Sequence, residues 1–210
     1  MPLLHPGPAY RVISPRLIIR CWNPEDAPLV KEAIDSSIDH LLPWMPWAAD
    51  EPLELQQRIE RVRRWRGQFD LGSDFFFGIF NPEESRVLGG TGLHPRVGPG
   101  GLEIGYWIRK DATHQGLATE AAAALTRVAF EIESMYRVEI HCDPQNLGSA
   151  AVPRKLGFTR EAVLRQRARD PLGDLHDTEI WTLLRQDYPA SPAVAVAITA
   201  LDALGREILG

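Results

Sequence analysis

Residues 101–125, GLEIGYWIRKDATHQGLATEAAAAL, and residues 141–158, HCDPQNLGSAAVPRKLGF, decide the reading of this chain. The first stretch reads as an apolar strand, then a short polar loop with small residues at Gly116 and Ala118, then a helix with a clean start. The second puts Asn146 and Ser149 near another helix start and closes on Lys155, Leu156, Gly157 and Phe158. A strand ending in a small-residue loop that feeds a helix N-terminus is suited to anions. Unpaired N–H groups and the positive end of the helix dipole converge there.

Working outward, RLIIRCW (16–22) reads as a first strand. Asn23-Pro24-Glu25-Asp26 starts a helix that is expected to run to about His40, with a capping side chain, Pro in the first turn and acids behind it. LPWMPWAAD interrupts, and a second helix is expected over about 51–69. Strands follow at 74–80, 86–94 and 102–109, with Asn81-Pro82 and GPGG (98–101) as turns. From Thr119 to Met135, Ala121, Leu125, Val128, Ile132 and Met135 recur at spacings of 4, 3, 4 and 3, one apolar helical stripe. RVEIHC (137–142) is a strand, 146–156 a short helix, and 162–169 and 178–184 two last strands around DPLGDLHD. This order implies an α+β fold, a mostly antiparallel sheet with helices on both faces. The main domain is set at 1–188. The Ala-rich tail, 189–210, carries Val194, Ile198, Leu201, Leu204 and Ile208 on one stripe and reads as a terminal helix. That helix would either dock on the body or form a homodimer contact.

At 210 residues one core is expected. A net charge of −5 argues against nucleic acid as the main partner. The crowd Arg58, Arg61, Arg63, Arg64 and Arg66 reads as a solvated helix face. Cys21 and Cys142 lie in apolar strands and read as buried free thiols. His94, His114, His141 and His176 lack ligand spacing, so no metal is expected. No apolar run reaches membrane-spanning length, and three prolines break the first ten residues. The chain reads as cytoplasmic.

Four motifs in order carry a resemblance: EIGYWI (103–108), HQGLATEA (114–121), the N-x-x-S-x-x-V-x-R-K-L-G-F run of 146–158, and GFTREAVLR followed by DTEIWTL. On these residues the chain resembles the GNAT superfamily of acyl-CoA N-acyltransferases, and within it the RimJ/RimL-like ribosomal-protein N-terminal acetyltransferases. HLLPWMPWA (40–48) also resembles that group. The resemblance implies a sheet splayed between its fourth and fifth strands, with acetyl-CoA wedged in the gap. It implies that the backbone of His114, Gln115, Gly116, Leu117, Ala118 and Thr119 wraps the pyrophosphate. Thr113 departs from the Gln or Arg usual at the head of that loop. The resemblance further places the acyl oxygen at the N–H near Trp107 and runs Ile108 and Arg109 beside the pantetheine arm. Trp44, Met45 and Trp47 would wall the acceptor pocket, as a recognition surface or as a hydrophobic plug.

Acyl transfer to an amine needs a free amine, a stabilised oxyanion and a proton for the leaving thiolate. Glu103 is the candidate base, or else a surface glutamate on an alternating strand. An α-amine, with pKa near 8, needs far less help than a lysine. Many superfamily members carry a tyrosine acid four residues after the serine, where this chain has Pro153. Ser149 is then the candidate donor to the thiol sulfur, or a helix cap, or both. Asn146 holds pantetheine or caps the same helix. The leading expectation is a direct N-acetyltransferase acting on a protein N-terminal amine. The alternatives are a small-molecule N-acetyltransferase (polyamine, amino acid or antibiotic) and a non-catalytic acyl-CoA sensor.

Overall fold

The computed structural model describes residues 8–170 and 173–210, so part of the DPLGDLHD turn lies outside it. Its strands are β1 (Arg11–Ile13), β2 (Ile18–Cys21), β3 (Phe75–Phe80), β4 (Val87–His94), β5 (Gly101–Ile108), β6 (Arg137–Cys142), β7 (Thr159–Arg169), β8 (Leu175–Leu184), β9 (Thr199–Leu201) and β10 (Glu207–Leu209). Among the described residues they form one sheet in the order β10-β9-β1-β2-β3-β4-β5-β6-β8-β7. The pairing of β5 with β6 is parallel, whereas the other strand pairs are antiparallel.

The helices are α1 (Ala27–Asp35), α2 (Ile38–Leu41), α3 (Leu55–Asp70), α4 (Leu117–Arg127) and α5 (Leu147–Lys155). One cluster packs Val30, Ala33 and Ile34 of α1 and Val62 of α3 with Trp22, Phe80 and Val87. A larger one packs α4 and α5 with Val12, Ile19, Ile104, Val138 and Ile140. Strand alternation divides β5 between them: Leu102, Ile104 and Ile108 join the larger cluster, and Trp107 packs with the smaller. Residues 121–125 of α4 are fully buried, as an all-apolar helix wedged inside a core must be. The helix expected to reach Met135 instead widens into a π turn over Val128–Ile132.

Three expectations are corrected. The first helix breaks at Ser36–Ser37, because those hydroxyls serve the end of β5: Ser37 Oγ accepts from the Lys110 N–H at 3.0 Å. The tail is not a helix. Pro192 starts a short 3-10 turn, and the residues beyond, among them Val196, Ile198 and Thr199, favour extended backbone. Asp202 then turns the chain by accepting from the N–H groups of Leu204 (2.8 Å) and Arg206 (2.9 Å), so β9 and β10 extend the sheet beyond β1. The tail is docked on the body, with the Arg127 guanidinium donating to the Val196 carbonyl.

The third correction concerns Arg58, which does not share the solvated face of its helix. Its side chain and that of Glu51 are both 0% exposed, and its Nη2 donates to Glu51 Oε2 at 2.5 Å. Glu51 directly follows the tryptophan loop, so this pair pins that loop to α3. Breaking a buried pair from one side strands a charge and costs about 3–5 kcal/mol. Glu51→Gln is expected to lower Tm by about 10 °C in a thermal melt. Replacing both partners by methionine is expected to cost less than Glu51→Gln alone.

Candidate active site

The site begins where a ladder ends. Strands β5 and β6 pair at Gly101 with Arg137, Leu102 with Val138 and Glu103 with Glu139, and nowhere beyond. Past Glu103, β5 stays with β4 as far as Ile108, while β6 stays with β8 as far as Cys142. The two strands diverge into a wedge whose edges carry unpaired backbone groups.

The register says which groups these are. The Arg109 N–H donates to the Leu88 carbonyl directly opposite, so the alternating pairs Trp107–Gly90 and Gly105–Gly92 are the hydrogen-bonded ones. The N–H groups of Tyr106 and Ile108 therefore face the wedge. The acyl oxygen is expected at an N–H near Trp107; the Trp107 N–H itself points to β4, and its neighbours on either side face the gap.

Arg109 directly follows the end of β5. Its side chain is 3% exposed and turned away from the wedge, bonded twice to Glu32 at 2.8 Å and to Asp111 at 2.7 Å. It locks the end of β5 to α1. Ile108 contributes backbone to the wedge and a buried side chain to the core.

The loop after β5 turns through His114 (φ 61°) and Gly116 (φ 78°), left-handed positions that aim successive N–H groups one way. Gly116 leads into α4, whose first-turn amides at Leu117, Ala118 and Thr119 have no intrahelical acceptor. The Leu117 side chain is buried, so only its backbone is available to a ligand. The Thr113 hydroxyl donates back to the Lys110 carbonyl at 2.8 Å and closes the preceding turn. Arg16 braces the loop by donating to the Gln115 carbonyl at 2.9 Å.

On the other side of the wedge, Asn146 caps α5, its Oδ1 accepting from the Ser149 N–H at 3.0 Å. The capping alternative thus holds for Asn146, and its amide nitrogen remains free of that bond. Within α5, Pro153 has no N–H to give the Ser149 carbonyl. The Tyr106 hydroxyl takes that place, donating to Ser149 O at 3.0 Å and lying 3.2 Å from Ser149 Oγ. Burial raises the Tyr106 pKa above the usual phenol range, with the Ser149 hydrogen bond opposing, so the phenol stays protonated. Sequence reasoning missed this residue. The signal was the tyrosine inside EIGYWI together with the proline where a tyrosine acid was sought.

A cleft of about 820 Å³ crosses the wedge and collects Trp44, Met45, Trp47, Glu103, Trp107 and Ser149. Trp47 meets Trp107 edge-to-face at 6.0 Å between ring centres. Glu103 is buried, with Arg96 on both its oxygens at 2.8 and 2.5 Å. Burial pushes its pKa up, but the Arg96 hydrogen bonds and charge, with His141 and His94, outweigh that and hold it below the usual glutamate range. It is a fixed anion more than a base. His141, also unselected from sequence, lies between Glu103 and Glu139 in the same cleft. Among the described residues no group of His, Cys, Asp or Glu is placed to hold a metal ion, and no helix is long and apolar enough to cross a membrane.

Residues 16–159 match the family model described as an acetyltransferase (GNAT) domain. The chain is 28% identical over 165 residues to a ribosomal protein uS5-alanine N-acetyltransferase of Escherichia coli, covering 75% of this chain and 82% of that protein. Its fold is similar to that of Mycobacterium smegmatis RimJ in complex with CoA-disulfide (TM-score 0.78, 23% identity, 91% of this chain and 95% of that one). It is also similar to RimL, the ribosomal L7/L12 α-N-protein acetyltransferase, in complex with coenzyme A (TM-score 0.74, 21% identity, 82% and 96%).

The described cysteines, Cys21 and Cys142, are both buried and unbridged. Cys142 lines the cleft, yet burial, with the Glu179 charge, pushes its thiol up to about 11 against smaller opposing hydrogen bonds from Ser149 and Trp181. At pH 8 that leaves about one thiolate in a thousand, against about a quarter for an ordinary thiol. Cys142 is thus no activated nucleophile. Iodoacetamide at pH 8, followed by mass spectrometry, is expected to modify Cys142 more than 100-fold more slowly in the folded protein than in urea.

Proposed function

The chain belongs to the GNAT acetyltransferase family and is an acetyl-CoA-dependent N-acetyltransferase; we propose that its acceptor is the α-amine of a protein N-terminus and that transfer is direct. One observation carries this reading. The wedge between β5 and β6 opens onto the Tyr106–Ser149 pair and onto a cleft walled by Glu103, Trp47 and Trp107, so donor and acceptor can meet without a covalent enzyme intermediate.

The donor fits what the wedge offers. Its pyrophosphate suits the outward-facing amides of residues 114–119, and its pantetheine amides suit the strand edge at Tyr106 and Ile108. Asn146 stands at the α5 cap on the same path. Ser149 gives the departing sulfur its proton, and Tyr106, 3.2 Å away, swings its single O–H from the Ser149 carbonyl to the serine oxygen as the charge develops. Together they perform what a tyrosine at position 153 would do.

The size of the cleft, its aromatic loop and the acceptor of the E. coli relative support a peptide N-terminus over a small amine. The chemistry agrees. An α-amine is roughly a tenth neutral at pH 7, a lysine less than a thousandth, and Glu103 is too strongly held as an anion to deprotonate an alkyl ammonium unaided. A ribosomal-protein acceptor would set the reaction in the cytoplasm.

Thiol release from acetyl-CoA is to be followed with peptides of varied N-terminal residue, their N-terminally blocked forms, polyamines and aminoglycosides. Turnover is expected with free N-termini alone. Activity confined to the small amines overturns the acceptor. Ser149→Ala is expected to lower kcat by about 100-fold with little change in the KM for acetyl-CoA. Tyr106→Phe is expected to lower kcat by about tenfold.

A further inference from the structure

Strand β6 brings its odd-numbered residues to the same face as Glu103, because Glu103 and Glu139 stand opposite each other where the two strands still pair. His141 follows two residues later, where the wedge has opened. Its Nε2 lies 2.7 Å from Glu139 Oε2 and its Nδ1 lies 3.5 Å from Glu103 Oε2. The carboxylates are anchored from behind, Glu103 by Arg96 and Glu139 by Arg137 Nε at 2.7 Å.

In the neutral ring only one nitrogen carries hydrogen. The short contact assigns that hydrogen to Nε2, donating to Glu139. Nδ1 then presents a lone pair towards a carboxylate oxygen that presents another. Two acceptors face each other at 3.5 Å on the wall of the cleft, an arrangement completed by a donor reaching both. A primary ammonium has three N–H groups and a positive charge, which matches an anion beside a base.

We propose that His141 is the general base: the acceptor ammonium seats against Glu103 Oε2 and His141 Nδ1, and His141 takes its proton. This rests on the N-acetyltransferase reading above. The ammonium gives one proton to Nδ1, forming an imidazolium held between the carboxylates of Glu103 and Glu139. The freed amine lone pair forms the C–N bond to the thioester carbonyl carbon. The C–S bond breaks with its electron pair on sulfur. The second proton lost by nitrogen balances the one that the thiolate takes up through Ser149, and the proton on His141 passes to solvent. Imidazole is a stronger base than a carboxylate by about two pKa units, so the task suits His141 better than Glu103. Glu139 is a positioning residue that fixes the ring tautomer, as a carboxylate behind a histidine does elsewhere.

The charged surroundings are defined on every side. From β5 comes Glu103, with Arg96 behind it. From β4 comes His94, bonded to Asp74 at 2.6 Å. On β6 itself stand Glu139 and Arg137, and at its end Asp143 pairs with His176 of β8, which also lies 3.5 Å from Asp170. Across the cleft are Asp50, Arg61 and Arg64.

The test is the pH profile of kcat/KM for a peptide acceptor in wild type, His141→Gln and Glu139→Gln, with acetyl-CoA affinity measured in parallel by calorimetry. His141→Gln is expected to lose about 100-fold or more at pH 7, to recover towards pH 9–10 as the amine deprotonates itself, and to bind acetyl-CoA within twofold of wild type. Glu139→Gln, which removes the carboxylate that fixes the ring tautomer, is expected to lower kcat/KM for the peptide about tenfold at pH 7 while acetyl-CoA affinity stays within twofold of wild type. That split between rate and donor affinity carries the test even if the His141 variant fails to fold. A His141→Gln profile within threefold of wild type from pH 6 to 9, or a Glu139→Gln kcat/KM within twofold of wild type, overturns the proposal. Wild-type protein that acetylates no amine overturns the reading beneath it instead, and the proposal with it.

Discussion

Everything functional in this chain depends on β5 and β6 ceasing to pair after Glu103. Buried strand edges are costly because each unpaired N–H or C=O forfeits a hydrogen bond. The fold keeps this edge open by binding each strand firmly to its other neighbour. Strand β5 continues on β4 to Ile108, and β6 on β8 to Cys142. Two buried clusters, one on each face of β5, hold the strands in place up to the point of divergence. The result is an edge that is rigid, polar and accessible to a chain-like ligand carrying amides of its own.

The remaining machinery compensates for local losses. Pro153 deprives the Ser149 carbonyl of its helical partner, and the Tyr106 hydroxyl supplies one. That same contact brings a phenol beside the Ser149 hydroxyl. A residue that removes a tyrosine acid from the helix thus creates the vacancy by which a tyrosine on the strand is held at the site. Arg109 likewise ties the end of β5 to α1 through Glu32, so the last residues of the open edge are clamped from the side opposite the wedge. Glu51 and Arg58 do the same for the tryptophan loop that lines the cleft.

Much of this was legible in the sequence. The strands from 74 to 109 and from 137 to 142, the Gly116 loop and the α5 cap were marked by apolar runs, turn residues and Asn146, and the structure keeps them within a few residues. What failed did so for physical reasons. The tail has a helical stripe, but that pattern does not register Asp202 as a turn-maker or β1 as a strand edge in need of a partner. Arg58 looked like its four arginine neighbours because Glu51 reads as the first residue of the helix, whereas it precedes the helix and draws Arg58 inward. Which N–H near Trp107 faces the gap was not legible, since the direction of a backbone N–H depends on register with β4. His141 and Tyr106 are far in sequence from Glu103 and Ser149, and only the folded sheet brings them to one cleft.

The central claim is that the open edge of β5 receives the donor through alternate amides. Residue-resolved amide hydrogen exchange by NMR, with and without coenzyme A, tests it most directly. Tyr106 and Ile108 are predicted to exchange faster than Gly105 and Trp107 in the free protein, and to become protected on binding while the other two change little. Protection of all four amides in the free protein, or binding of coenzyme A that leaves Tyr106 and Ile108 unchanged, would contradict the account.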